Sequence, residues 1–214
     1  MMFSDHLYTR LESLSNRSFQ EFPKELLPED CCPAAVLIPM WPTPDGGVEI
    51  VLTRRTESLP THGGQVSFPG GRRQSGDTSL EETALREAGE ELGIARDAVS
   101  IMGRLDDAWS FHGHHVVPYV GWLQQQPEIT PDPGEVAEVL IVDLEMLNRP
   151  GIACRHGHLR DSRAHYTHAY RWDGVYVWGL TADILLELML WVNGRISNRG
   201  ALRLEMMRRQ IEQQ

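Results

Sequence analysis

The chain has 214 residues, 41% of them hydrophobic, which is enough for one domain with a full core and cramped for two. Its formal net charge is −10, and no run of Lys or Arg is long enough to form a nucleic-acid stripe, which disfavours a polynucleotide partner. Three cysteines (Cys31, Cys32 and Cys154), without a C-x-x-C pair, argue against a disulfide framework or a structural zinc and fit a reducing, cytoplasmic setting.

Residues 1–33 read as an N-terminal helical extension. Leu7, Leu11 and Leu14 recur at helical spacing, and the basic start and apolar run of a secretory signal are missing. Ala34 to Trp41 is a compact apolar strand, Pro42 to Gly47 a turn, and Val48 to Thr53 its partner strand. A brief strand, Val66 to Phe68, is broken by Pro69-Gly70-Gly71. Ser79 is placed to N-cap the helix that follows, and Gly93 to C-cap it. Val99 to Leu105, His114 to Leu123 and Glu135 to Leu144 read as strands, with a short helix ending at Leu147. Tyr166 to Trp172 and Val175 to Trp178 form a predicted hairpin about Asp173-Gly174. Thr181 to Val192 is an amphipathic helix that carries Asp183 and Glu187 and is too short to span a bilayer. Residues 195–214 add a C-terminal helix, which leaves 34–194 as the main domain. Strands mixed with a few helices make the fold α+β.

The helix between Ser79 and Gly93 carries the chemistry. Glu87, Glu90 and Glu91 stand at i, i+3 and i+4 and share one face at about 100° per residue. Like charges at this spacing cost roughly 0.2–0.5 kcal/mol per pair, and the C-terminal end of the helix dipole already presents negative charge there. A hard divalent cation such as Mg²⁺ or Mn²⁺ removes both penalties and also takes phosphate oxygens. The alternative is a solvated acidic face. Ala84, Leu85, Ala88 and Leu92 supply a separate apolar face.

The whole stretch from Phe68 to Ile94 resembles the Nudix box. That pattern is a Gly, five residues, an acid, seven residues, then Arg-Glu-apolar-x-Glu-Glu-x-Gly-apolar. Arg86, Glu87, Ala88, Glu90, Glu91, Gly93 and Ile94 match its back half. The front half differs: Asp77 stands where the pattern has Glu, and eight residues rather than seven separate it from Arg86. One extra loop residue is a trait of the coenzyme A pyrophosphatase branch. The resemblance implies an α/β/α sandwich with a mixed central sheet, and a metal held by the Gly70 carbonyl with Glu87, Glu90 and Glu91. It makes Arg86 the side chain that orients a carboxylate, with Asp77 as its acceptor. Gly71 lets the backbone approach the phosphates without a Cβ in the way. A general base comes from a helix Glu or from a distal loop, where Glu135 and Glu138 are the candidates.

Upstream, LTRRTESLPTHGGQVSFPGG resembles the second signature of the coenzyme A branch. Leu52, Thr53, Arg55, Gly64, Phe68, Pro69, Gly70 and Gly71 are in register; Val51, Thr56 and Pro60 depart. Pro60 replaces a cation, for which Arg54, Arg55, His62 or Arg72 could substitute in meeting a phosphate. Leu105-Asp106-Asp107, Pro118 to Gly121 and Trp178 to Ala182 extend the likeness over residues 34–190. Trp109, Phe111, Trp172 and Trp178 could wall an adenine or pantetheine pocket, or pack in the core. His112, His114 and His115 are read as a loop entering a strand rather than as metal ligands.

The resemblance implies a small-molecule substrate, coenzyme A or a derivative, cleaved to adenosine 3′,5′-bisphosphate and a 4′-phosphopantetheine. ADP-ribose or a dinucleotide is the alternative, and a non-catalytic nucleotide-sensing module the third reading. No membrane partner is expected, and a homodimer is left open.

Overall fold

The apolar run that begins the main domain becomes the spine of a mixed sheet. In this computed structural model, residues 3–58, 63–110, 113–160, 163–195 and 199–211 are described. In chain order the first half comprises α1 (Phe3–Glu12), β1 (Cys32–Pro42), β2 (Val48–Arg55), β3 (Val66–Ser67), β4 (Gly70–Arg72) and α2 (Leu80–Leu92). The second half comprises β5 (Ser100–Arg104), β6 (Ala108–Trp109), β7 (His114–Trp122), β8 (Val136–Asp143), β9 (Ala153–Arg160), β10 (Arg163–Trp172), β11 (Val175–Trp178), α3 (Gly179–Val192) and α4 (Arg199–Ile211).

Alternation along β1 sorts its side chains onto two faces. Ala35 and Leu37 pack on Ala84, Leu85 and Ala88 of α2. Ile38 and Met40 join the other face, with Leu7 and Leu11 of α1 and Leu185, Leu188 and Met189 of α3. Helices therefore cover both sides of the sheet, the α/β/α arrangement expected. β1 runs parallel to β7 and antiparallel to β2 and β4. β2 in turn pairs with β3 and β8. Because β4 folds back on the first half of β1, Gly70 and Gly71 lie beside Val36 and Ala35, directly under α2.

The predicted caps of α2 are both present. The Ser79 hydroxyl accepts from the Glu82 N–H at 3.1 Å, and Gly93 closes the helix in the left-handed region at φ 70°. The predicted hairpin is β10–β11, and positive φ at both Asp173 (42°) and Gly174 (80°) fits a primed turn. β4, β6 and β9 are strands that periodicity did not reveal. The first two are very short, and β9 (ACRHGHLR) has no regular apolar alternation. Leu7, Leu11 and Leu14 are all buried, as their spacing predicted. Among the described residues, no helix is long and apolar enough to cross a membrane.

Candidate active site

Four segments converge on the C-terminal half of α2: the end of β2, the Gly-Gly strand β4, the helix itself, and the loop before β8. Backbone hydrogen bonds fix that loop in place. The Asp132 N–H donates to the Glu91 carbonyl at 2.9 Å, and the Thr56 N–H donates to the Glu135 carbonyl at 2.9 Å. Glu135, distant in sequence, thus arrives beside Arg55 and the acidic helix.

Arg86 is the hub of the acids. Its Nε and Nη2 meet the two Asp77 oxygens at 2.9 and 3.1 Å, its Nη2 reaches Glu87 Oε1 at 2.8 Å, and its Nη1 reaches Glu90 Oε2 at 2.7 Å. Nη2 also donates to the Arg72 carbonyl at 3.2 Å. Asp77, which the longer loop displaced in sequence, still lands on Arg86. It is locked there by the Gln74 N–H at 2.9 Å and the Thr83 hydroxyl at 2.8 Å. The Arg86 guanidinium holds the Asp77 carboxyl well below the usual carboxylate range. Thr83 was not singled out beforehand; a Thr in the first turn of a helix gives no signal of what it will hold.

The two glycines act differently. A Cβ on Gly71 would stand 2.5 Å from Glu87 Oε1, so the missing side chain makes the space that this carboxylate fills. A Cβ on Gly70 would stand 2.4 Å from the Ala35 carbonyl oxygen, in the backbone of β1. Gly71 is a site requirement and Gly70 a packing one.

Glu91 is the most exceptional group. It is 2% exposed, and among the described residues neither of its carboxylate oxygens has a hydrogen-bond partner. Arg55 Nη1 lies 3.6 Å from Oε1, too far for a good hydrogen bond, and Arg55 Nη2 lies 3.9 Å from Glu135 Oε2. Burial pushes the Glu91 carboxyl up to about 8; Arg55 and the nearby Gly70 N–H oppose the rise, and Glu87 adds to it. Burial also raises Glu87, against the pull of Arg86.

An orphaned buried carboxylate beside a second acid and a side-chain-free backbone is a donor set suited to a hard cation. Among the described residues, no three acids, histidines or cysteines already form a tight cage; Glu87 and Glu90 turn toward Arg86 instead. To hold a cation together with the buried Glu91, Glu87 and Glu90 would have to rotate away from Arg86.

Other candidates fall elsewhere. Arg54 lies on the opposite sheet face from Arg55, with Ile50 and Leu52, and its Nε meets Glu138 Oε2 at 2.7 Å. That removes Glu138 from the acid cluster too. Arg72 Nε donates to His114 Nε2 at 3.1 Å at the rim. His115 Nε2 is 2.7 Å from Asp107, so His114 and His115 open β7 as strand residues. Trp172 packs on the core, while Trp178 is exposed and stacks on His156 at 4.7 Å. His62, Pro60, Phe111 and His112 lie outside the described residues. A groove of about 590 Å³ follows the other flank of α2, lined by Asp77, Leu85, Arg86 and Arg96 among others. It contains none of Glu87, Glu91, Arg55 or Glu135, and the unsatisfied carboxylate outweighs it in locating the site.

Residues 33–161 match the family model of the NUDIX domain. The chain is 38% identical over 167 residues to the Nudix hydrolase NudL of Pectobacterium atrosepticum, covering 76% of this chain and 83% of that one. It is 35% identical over 184 residues to the chloroplastic Nudix hydrolase 22 of Arabidopsis thaliana, covering 82% of this chain and 60% of the plant protein. In fold it is similar to the NUDIX domain of Shewanella oneidensis NrtR, solved with ADP ribose, at a TM-score of 0.50 and 19% identity; the match covers 87% of this chain and 97% of that one. With the family model over residues 33–161 and a relative 38% identical of which 83% is covered, the chain belongs to the Nudix hydrolases.

Proposed function

We propose that this Nudix hydrolase cleaves the diphosphate of coenzyme A or a derivative, with Mg²⁺ or Mn²⁺, to adenosine 3′,5′-bisphosphate and a 4′-phosphopantetheine. The observation that carries the metal-dependent chemistry is the buried carboxylate of Glu91, which makes no hydrogen bond of good geometry among the described residues, beside Glu87 and the Gly70-Gly71 backbone. Glu87, Glu90, Glu91 and the Gly70 carbonyl would hold the cation, which when bound neutralises phosphoryl oxygens and lowers the pKa of an attacking water. Arg86 orients Glu87 and Glu90 and leaves them their charge. Gly71 leaves room for the Glu87 carboxylate against the backbone. Glu135, half exposed at the mouth of the site, takes the proton from water as general base. Arg55 meets a phosphate with its guanidinium, and Arg72 at the rim is a second cation within reach of the mouth.

The choice of coenzyme A rests on the register of Leu52 to Gly71 with that branch's signature, and on the placement of Arg55 of that signature against Glu91. Residues 34–194 form the catalytic unit in this reading, flanked by the two terminal helical segments, in a cytoplasmic setting. Pro60, where the signature has a cation, favours a second reading: another nucleoside diphosphate derivative such as ADP-ribose, the ligand of the Shewanella domain. The intact acids speak against a purely sensing module.

Turnover of coenzyme A, 3′-dephospho-coenzyme A, ADP-ribose and diadenosine polyphosphates, each with Mg²⁺ and with excess chelator, tests this. Coenzyme A should give the highest kcat/KM, the 3′-dephospho compound a higher KM, and the chelator no turnover. A preference for ADP-ribose moves the enzyme to the second reading; undiminished turnover in chelator defeats the metal site.

A further inference from the structure

Arg86 and Arg55 both face the acids, yet they are held in different ways. Arg86 is locked: all of its contacts to Asp77, Glu87 and Glu90 are at hydrogen-bond distance. Among the described residues Arg55 is hydrogen-bonded through its backbone alone: its N–H donates to the Gln65 carbonyl at 2.9 Å and its carbonyl accepts from the Gly64 N–H at 3.1 Å. Its guanidinium touches Glu91 and Glu135 at 3.6 and 3.9 Å. These are Coulombic contacts without donor geometry, made by a partly exposed head on a long stem. Glu91, for its part, is buried, and among the described residues neither oxygen has a hydrogen bond of good geometry; Arg55, the cation paired with it, holds it loosely. A divalent ion carries twice the charge and takes carboxylate oxygens directly, so it outcompetes a guanidinium that makes no hydrogen bond.

On the metal-dependent reading above, we propose that Arg55 is an exchangeable counter-cation. Arg55 and the divalent ion compete for Glu91, and the ion's arrival hands the guanidinium to a phosphoryl oxygen of the substrate, so that metal loads before substrate. Two features support the hand-over. The side chain lies near the half-exposed Glu135, 3.9 Å away, and a guanidinium meets phosphate in two-pronged geometry that it lacks at Glu91. The sheet supplies an internal control. Arg54, one residue earlier, carries the same charge on the opposite face and pairs with Glu138.

Calorimetric titration of Mn²⁺ into chelator-stripped wild type, Arg55→Met and Arg54→Met, together with KM for the best substrate of each, tests the exchange. Arg55→Met should bind Mn²⁺ at least about fivefold more tightly, since a competing charge is gone. Its KM should rise about tenfold or more with the loss of a charge-assisted contact. Arg54→Met should stay within about twofold of wild type on both measures, as an exposed pair does. If Arg55→Met does not fold, Arg55→Lys serves: the retained charge should keep Mn²⁺ affinity within about twofold, while the lost fork raises KM. Unchanged or weaker Mn²⁺ binding in Arg55→Met overturns the competition, and so does an Arg55→Lys that binds Mn²⁺ clearly more tightly. Tighter Mn²⁺ binding with an unchanged KM overturns the hand-over. A wild type that binds no Mn²⁺ sinks the metal reading itself, which is a separate result.

Discussion

Glu91 on α2 and Glu187 on α3 are both buried glutamates, and they are treated in opposite ways. Glu187 is 0% exposed, and its Oε1 accepts from both terminal nitrogens of Arg17 at 3.1 Å and from the Asp106 N–H at 3.0 Å. Its Oε2 accepts from Arg203 Nη1 at 2.6 Å. Asp106 beside it takes Arg17, the Gln20 N–H and the Gly200 N–H, which ties the N-terminal segment and α4 to the middle of the chain. Glu91 has Arg55 at 3.6 Å and no hydrogen-bond partner among the described residues. Burial pushes both carboxyls up, so burial is not what separates them; the donors are. Where a buried charge serves architecture, this chain supplies partners in full. Where it withholds them, the carboxylate remains available to a ligand.

The largest effect should come from breaking the satisfied side. Arg203→Ala leaves the Glu187 and Asp183 carboxylates facing a gap and should cost about 3–5 kcal/mol, as removal of one partner from a buried pair does. Urea unfolding reads this directly. A loss below about 1 kcal/mol would mean that the clasp is no more than a surface ion pair.

Glu91→Gln inverts that outcome. The amide keeps the shape and cannot ionise, so above about pH 8 chelated protein should melt at the same temperature or higher. Over the same change kcat should fall at least about a hundredfold, near 2.7 kcal/mol of transition-state stabilisation. The pH dependence follows from the raised pKa. Between the ordinary 4.5 and about 8, folded Glu91 keeps a proton that the unfolded chain has released. The folded state thus binds more protons there, and stability is lost as pH rises through that window. Melting of chelated wild type at pH 5.5 and 8.5 should show the loss, and Glu91→Gln should flatten it. Parallel curves for the two proteins would refute the assignment.

The paired glycines sharpen the same contrast between site and scaffold. Gly70→Ala drives a methyl into the β1 backbone and should destabilise by about 1–3 kcal/mol. Gly71→Ala meets only the movable end of Glu87, so stability should hold within about 1 kcal/mol while kcat drops through a displaced carboxylate. Equal stability losses in the two variants would erase the distinction.

Much of this was legible beforehand for a physical reason: α2 encodes its own limits and faces. Ser79 and Gly93 cap it, the apolar residues from Ala84 to Leu92 give it a core side, and the acids give it a site side. The α/β/α layering followed from the family resemblance and is visible in the two-sided burial of β1. Local signals could not show which distant residues meet. The approach of Glu135 depends on the loop clipped to the end of α2 at Asp132, and the clasp of Arg17, Asp106, Glu187 and Arg203 joins four segments that share no periodicity. Asp77 is an intermediate case. Its identity and offset departed from the pattern, but the loop absorbs the extra residue and still delivers the carboxylate to Arg86.

The smallest expected effect concerns the two neighbouring arginines, which composition cannot tell apart. Strand alternation sends their side chains to opposite faces of the sheet, so one residue of sequence separates a site cation from a surface one. Arg54 and Glu138 are direct cross-strand partners, and both are substantially exposed. Such pairs contribute about 0.2–1 kcal/mol, screened further by salt. Arg54→Ala should therefore shift stability by no more than that, leave kcat and KM within about twofold, and lose even its small cost in 1 M salt. A large KM change in Arg54→Ala would place the substrate's phosphates across the edge of β2 rather than over Glu91, and the site would then have to be redrawn around both arginines.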